Sequence, residues 1–232
     1  MCGRFGLSRQ QRELAGEFID LNPKFEVAEI QPRYNIAPSQ PVLVLHADSG
    51  RTLGTEVRWG ISLPSPRDGR ARELINVRSE TALGAGWFRE LLDRSRALVP
   101  ASHFYEWRSA AGRRQPLLIG PAQGEGLVMA GLLGRWVEES TGEVVPAVAI
   151  LTTAANALLA GIHDRMPVLL PPSSWGRWLD PNADAGDVAD LLVPCADGLL
   201  KVRPVSRLVN DVANEGPQLL VAEPDPQLEL PL

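Results

Sequence analysis

The apolar residues of this chain gather into short runs of strand length, each closed by turn formers, with no regular alternation of strand and crossover helix. Strand character falls on residues 41–46, 56–60, 74–78, 98–108, 117–119, 127–136, 144–152, 166–170 and 199–205. Pro38 and Pro41 bracket a turn. Ala47-Asp48-Ser49-Gly50 and Ala110-Ala111-Gly112 mark others, and 64–70 reads as a polar loop. Helical patterns are few: 8–20, opened by Ser8 and Gln11 as a capping box with Leu14 and Phe18 on one face; 87–93; 154–162 with Thr153 as its cap; and short pieces at 175–179 and 188–193. Many short strands with a few helices between them predict an α+β domain. No Gly-x-Gly-x-x-Gly or P-loop pattern offers a nucleotide cradle, and no internal repeat is present. No linker divides the chain, so one domain is expected over 2–215. From Gly216 onward prolines and acids dominate, which predicts a flexible tail over 216–232.

A chain of 232 residues can bury its core without staples. Its only cysteines, Cys2 and Cys195, form no Cys-x-x-Cys pair, so neither a zinc site nor a disulfide scaffold is expected, and no metal or cofactor is predicted. No run of eighteen apolar residues could span a membrane, and the first residues do not read as a signal peptide. A reducing cytoplasm is the expected compartment. The net charge of −5 argues against a protein that simply coats DNA. Its distribution is uneven, however: residues 1–114 hold 17 Lys+Arg and 13 Asp+Glu, against 6 and 15 in residues 115–232. Only Lys24 and Lys201 are lysines, and the arginine fork suits phosphate. A GC-rich genome would give the same arginine bias.

Four elements could carry chemistry. Removal of Met1 would leave Cys2 with a free α-amine beside its thiol. With ordinary pKa values of about 8 and about 8.5, both groups are partly nucleophilic near neutrality. An aldehyde would condense with the amine to a Schiff base, and the thiol would close a five-membered thiazolidine. An incidental cysteine at position two is the alternative. Gly3 would allow close approach of a ligand, and Arg4 could hold a phosphate. Glu106, between Tyr105 and Trp107, would lose hydration among aromatics and suit proton transfer, or it would face water from an edge strand. His163 falls between a helix and a strand, an address for catalytic groups as much as for a helix C-terminal histidine. Asp164 and Arg165 could orient it or contact phosphate. Asn76 and Arg78, two apart, share one strand face that is either ligand-binding or simply solvated. His46 and His103 read as strand residues.

Six segments in order resemble the SOS response-associated peptidase family, the SRAP domain. They are Met1-Cys2-Gly3-Arg4-Phe5; Arg33-Tyr34-Asn35-Ile36-Ala37-Pro38; Arg58-Trp59-Gly60; Asn76-Val77-Arg78-Ser79-Glu80-Thr81; Phe104-Tyr105-Glu106-Trp107; and Ile162-His163-Asp164-Arg165-Met166-Pro167. The resemblance runs from Cys2 to about Asn214. It implies a barrel-like fold of twisted, mainly antiparallel strands with peripheral helices, and a protein that binds single-stranded DNA and crosslinks an abasic site through Cys2.

By the same resemblance Asn76 would hold the N-terminal residue and the opened sugar, Glu106 would move protons at the Schiff base, and His163 would bind or protonate the released hydroxyl. Arg4 and Arg78 would contact phosphates, and Trp59, Pro38, Thr152 and Thr153 would belong to the DNA-binding surface. The family's name reflects a peptidase activity seen as removal of the residue before Cys2. This sequence departs from the family pattern at His103, where a glycine is usual, and at Ala97, in place of a cysteine. It also lacks a tryptophan in 61–66. Two other readings stay open: a cysteine peptidase using Cys2 and His163, and a binding module without chemistry.

Overall fold

The computed structural model describes residues 2–224 apart from 10–12, 15, 17, 19–20, 22–29, 65–70, 111–112, 125 and 139. Five strands close a ring. Strand β3 (Pro41–Asp48) runs antiparallel to β4 (Arg51–Trp59). The turn between them uses left-handed Ser49 and Gly50, with φ of 48° and 78°, which suits a tight hairpin. Strand β4 lies parallel to β12 (Val144–Ala154), with Val148 opposite Trp59. Strand β12 is antiparallel to β11 (Leu127–Val137), which pairs with β8 (Arg96–Ala101). Leu98 of β8 then faces Leu45 of β3 and completes the circuit. Closure leaves these strands no open edge. All six residues of β8 and the run 147–153 of β12 are buried, because the ring is covered outside as well as filled inside. This explains why those segments read as unbroken apolar runs.

Two short strands extend the ring along β12. Strand β7 (Asn76–Arg78) lies parallel to it and β13 (Arg165–Pro167) antiparallel. Helices α1 (Ser79–Leu83) and α2 (Trp87–Arg94) follow β7 directly. Strands β5 (Ile61–Pro64) and β6 (Ala71–Leu74) form a separate ribbon. A second, antiparallel sheet has the order β14 (Leu200–Pro204), β10 (Arg113–Pro121), β9 (His103–Ala110), β1 (Phe5–Leu7), β2 (Arg33–Ile36).

Alternation along β9 divides the core. Phe104, with Leu117 and Ile119 of β10, joins the main apolar core. Tyr105, with Leu118, joins a smaller one with Val205, Val209 and Leu219. The second sheet therefore needs a cover on its far face, and the last described segment supplies it. The tail expected from Gly216 is corrected on this ground: residues Pro217–Leu220 form a 3-10 turn, Leu219 is fully buried, and Ala222 bridges to Val205. Residues 225–232 lie outside the described structure.

The mixed α+β architecture and most strands match the sequence reading. The helix expected over 8–20 lies largely outside the described residues, although the Phe18 N–H donates to the Leu14 carbonyl at 3.0 Å and both side chains are buried. The helix expected over 154–162 shrinks to α3 (Ala157–Ala160), because β12 runs on through Ala154. Its cap is Asn156, whose Oδ1 accepts from the Leu159 N–H at 3.1 Å, and not Thr153, which stays in the strand. The helix at 175–179 is α4 (Trp175–Leu179), clamped by Trp178 Nε1 donating to the Ala97 carbonyl at 2.9 Å. Among the described residues no helix is long and apolar enough to cross a membrane.

Candidate functional site

Strand β1 places the start of the chain. Phe5 pairs with Phe104 of β9, and the Tyr105 N–H donates to the Arg4 carbonyl at 2.9 Å. Those two contacts draw residues 2–4 along β9 beside Glu106. Cys2 is fully buried. Its carbonyl accepts from Asn76 Nδ2 at 2.8 Å, so the short β7 strand holds the first residues against the barrel. The Asn76 Oδ1 atom is buried and has no hydrogen-bond partner among the described residues, which leaves an acceptor beside Cys2. Burial, then the charge of Glu106, pushes the Cys2 thiol up to about 12. The thiol is therefore protonated at neutral pH, and a step that uses it must remove that proton.

Glu106 is 7% exposed and sits opposite Leu117 of β10. His163 follows α3, with its N–H bonded back to the Leu159 carbonyl at 3.0 Å. The His163 Nδ1 atom accepts from the Arg165 N–H at 3.0 Å and stands 2.8 Å from Asp164 Oδ1. Nδ1 meets Arg165 through its lone pair when it carries no proton and Asp164 when it carries one, so either contact orients the ring. A cleft of about 560 Å³ brings Gly3, Arg4, Glu106, Trp107, Arg114, His163 and Asn210 together. The four elements singled out in the sequence are thus joined: Cys2 and Asn76 by a hydrogen bond, Cys2 and Glu106 by electrostatics, Glu106 and His163 by a shared cleft.

The expected DNA-contact residues separate into two groups. Arg78 is exposed at the end of β7, and Pro38 is half-buried in the turn before β3. Trp59 is not on a surface. It is fully buried, packs edge-on against Phe5 with ring centroids 5.1 Å apart, and donates to the Ile75 carbonyl at 2.9 Å. Thr152 is fully buried and its hydroxyl donates to the Val77 carbonyl at 3.5 Å, which secures β7 on β12; Thr153 is only 4% exposed. These three residues build the wall behind the site and present no surface to a nucleic acid. Arg4 lies between the groups. It lines the cleft, but its Nη1 atom donates to Asn35 Oδ1 at 2.8 Å and to the Val209 carbonyl at 2.9 Å.

Arg165 is committed elsewhere. Its two terminal nitrogens meet the Glu80 carboxylate at 2.7 and 2.8 Å, and one of them also donates to the Thr152 carbonyl at 2.6 Å. Sequence reasoning missed Asn210 and Arg114. Arg114 was findable from strand alternation, because it stands two residues from Pro116, the partner of Trp107. Asn210 carried no local signal. It comes from a distant 3-10 turn and accepts the Trp107 indole N–H at 2.7 Å.

The chain matches the model of the SOS response associated peptidase (SRAP) family over residues 1–212. It belongs to the SRAP family. This SRAP protein is 34% identical to the abasic site processing protein YoaM of Bacillus subtilis, with 96% of this chain and 99% of the relative aligned. Against the abasic site processing protein YedK of Escherichia coli the identity is 30%, covering 95% and 99%. Against the abasic site processing protein HMCES of Gallus gallus it is also 30%, covering 95% and 77%. A solved structure of a Bacteroides thetaiotaomicron protein shares the fold, with a TM-score of 0.77 at 20% identity over 96% of this chain and 100% of the other.

The departures of this SRAP protein have local explanations. His103 packs edge-on against Tyr105, with its Nε2 atom 2.9 Å from the Tyr105 hydroxyl. Burial holds its pKa down to about 4, so the ring is neutral. It fills the space over Gly6, where any Cβ would fall 2.4 Å from the imidazole. Ala97 is fully buried under α4. In the stretch lacking a tryptophan, Ile61 and Ser62 are buried in β5, while residues 65–66 lie outside the described structure.

Proposed function

We propose that this SRAP protein captures abasic sites in single-stranded DNA by a covalent bond to Cys2. Family membership supports abasic-site processing in the coarse sense, with DNA as substrate. The observation that carries the finer reading is the grip of Asn76 on the Cys2 carbonyl, at the edge of a cleft that Glu106 and His163 share. That contact fixes the Cys2 backbone, which orients the α-amine and the thiol together, as a reaction through both groups requires.

The chemistry balances with these groups alone. Hydrolysis of the Met1–Cys2 bond frees the α-amine. The amine attacks the C1′ aldehyde of the opened sugar, water leaves, and an imine forms. The Cys2 sulfur adds to that imine carbon, and the thiol proton ends on the ring nitrogen. Glu106 would accept and return this proton, which matters for a thiol that burial keeps protonated. His163 would protonate the sugar oxygen released on ring opening. The buried Asn76 Oδ1 is available to the new N–H or to a sugar hydroxyl. Exposed Arg78 and half-buried Pro38 would meet the flanking strand. Phosphate contacts position the strand without reading its sequence, so capture should not depend on the neighbouring bases.

The test is a denaturing gel after mixing the protein with a single-stranded oligonucleotide carrying one abasic site. A slowly migrating band is expected for wild type, absent for Cys2→Ala, and delayed for Glu106→Gln. A protein with an acetylated α-amine on Cys2 should form no band. If the acetylated protein forms it as fast as wild type, the amine is not the nucleophile and the ring-closing chemistry is wrong. A peptidase acting through its thiol would tolerate that acetyl group and cleave added peptides. Intact mass of the purified protein reports whether Met1 has left.

A further inference from the structure

Arg4 and Arg114 both lie over the Trp107 ring, 5.7 and 5.8 Å from its centroid, yet they are in different states. Arg4 is held by Asn35 Oδ1 and the Val209 carbonyl. Asn35 is itself fully buried, and its Nδ2 atom donates to the carbonyls of Asp211 and Asn214 at 2.9 Å each. Arg4 is thus one member of a network that ties β1 and β2 to residues 209–214. Its Nη1 atom is spent on protein acceptors, and its Nε atom is buried.

Arg114 has no such commitment. It is exposed, it lines the same cleft, and no described residue forms a hydrogen bond or ion pair with it. Its position is nevertheless set. In the β9–β10 ladder Pro116 faces Trp107 and Arg114 faces Ser109, so Arg114 and Trp107 are diagonal neighbours on one face of the sheet. Trp107 is in turn fixed by its indole N–H to Asn210. Stacking occupies the face of a guanidinium and leaves its N–H edge for an acceptor. Arg114 is therefore a pre-placed, exposed cation of the cleft with its N–H edge open to a ligand, beside the residues that would hold the sugar. The carboxylate of Glu106 belongs to the same cleft, so a ligand there must bring its own negative charge to Arg114 while leaving Glu106 free.

We infer that Arg114, seated on Trp107, takes the backbone phosphodiester next to the reacting sugar, and that Arg4 is a structural pin for the closing segment. This rests on the reading of the cleft as a single-stranded DNA site and names the residue that positions the strand there. A phosphodiester fits the donor set because it presents two anionic oxygens to a forked donor.

The experiment uses the full chain and two oligonucleotides of one sequence, one intact and one with a single abasic site. Non-covalent affinity for the intact strand is measured against salt for wild type, Arg114→Gln and Arg114→Lys. Arg114→Gln should bind about tenfold more weakly at low salt, the size of one lost charge-assisted contact. Its log–log salt slope should be shallower by about 0.7, the share of one phosphate on a single strand. Arg114→Lys should keep the wild-type slope, which a purely structural role would not predict. On the abasic strand, Arg114→Gln should need about tenfold more oligonucleotide to reach half its maximal adduct rate. A wild-type slope and affinity in Arg114→Gln overturns the inference. A wild type that forms no adduct, with the slope still shallower in Arg114→Gln, overturns the crosslinking reading and supports the phosphate subsite. Should Arg114→Gln melt early, Arg114→Lys decides: a slope reduced in it as well counts against the inference.

Discussion

Asn76 Nδ2 donates to the carbonyl oxygen of Cys2 at 2.8 Å, and it does so from a three-residue strand that pairs with β12. The reactive residue is thus positioned through its backbone, with its buried thiol 3.9 Å from the Arg4 carbonyl. Asn76→Ala removes the grip without removing either nucleophile. Adduct formation at saturating oligonucleotide should slow by about tenfold or more, as expected when a reacting group loses its orientation. Affinity for an intact strand should stay within about twofold, because the lost hydrogen bond is to protein and not to the strand. A single-turnover time course checks the first, and anisotropy the second. An unchanged rate would mean that β7 positions nothing.

The buried Cys2 thiol ties stability to alkaline pH. It keeps its proton up to about 12 in the folded chain, against 9.0 for an ordinary thiol. Between those values the native state holds more protons than the unfolded one, so stability falls as pH rises through that window. Cys195, raised to about 11, and Tyr105, also raised by burial, act in the same direction. Urea unfolding of wild type and Cys2→Ala should therefore converge as pH rises above about 9, with the steeper loss in wild type. Equal slopes would show that the native thiol is not shielded from water.

The sequence was most legible where one local rule acted alone. Strand β3 followed from its apolar run 41–46 and the turn after it from Ala47-Asp48-Ser49-Gly50, while β4 was read only from residue 56; α4 followed from its own pattern. The second sheet's cover was illegible because the apolar run Leu219-Leu220-Val221-Ala222 is only four residues long and lies between prolines and acids; in the fold Leu219 is buried and Leu220 packs against the same cluster. What docks them is a distant face made by Tyr105, Leu118 and Val205. The misplaced helix cap has a related cause. Thr153 and Asn156 are both competent caps, and the pairing of β12 with β13, which carries the strand through Ala154, decides between them. In the site, side-chain types pointed to Cys2, Asn76, Glu106 and His163, but exposure did not follow from type. Trp59 was expected on the DNA-binding surface and is a core residue; Arg4 was expected at a phosphate and has its Nη1 held by Asn35.

Glu80 offers a way to add charge at the interface. Arg165 holds its carboxyl down to about 2, and the two side chains form a paired fork at the start of α1, next to exposed Arg78. Glu80→Gln would leave the Arg165 cation uncompensated near the strand path. Affinity for a single-stranded oligonucleotide should rise by about threefold at low salt, and the gain should vanish at high salt through screening. A gain that persists in high salt would mean that contacts other than charge had changed. A loss would mean that the Glu80–Arg165 pair shapes the surface that the strand needs.

Arg96 should matter most for stability, though it is remote in sequence from every site residue. It is 6% exposed at the start of β8, and all three of its nitrogens are spent on carbonyls. Nε donates to Trp178 at 2.6 Å; Nη1 to Leu92 at 2.6 Å and Asp93 at 3.1 Å; Nη2 to Asp180 at 2.5 Å and Ala183 at 2.9 Å. The guanidinium therefore satisfies the end of α2, the end of α4 and the loop beyond it from one point on the barrel. Helix ends leave such carbonyls without internal partners, and burial without a donor is costly. Arg96→Met keeps the volume and strands all five acceptors, so the chain should lose about 3–5 kcal/mol. Arg96→Lys can reach only some of them and should recover less than half. Urea unfolding measures both. A cost under about 1 kcal/mol for Arg96→Met would imply that water replaces the fork and that the site is open to solvent.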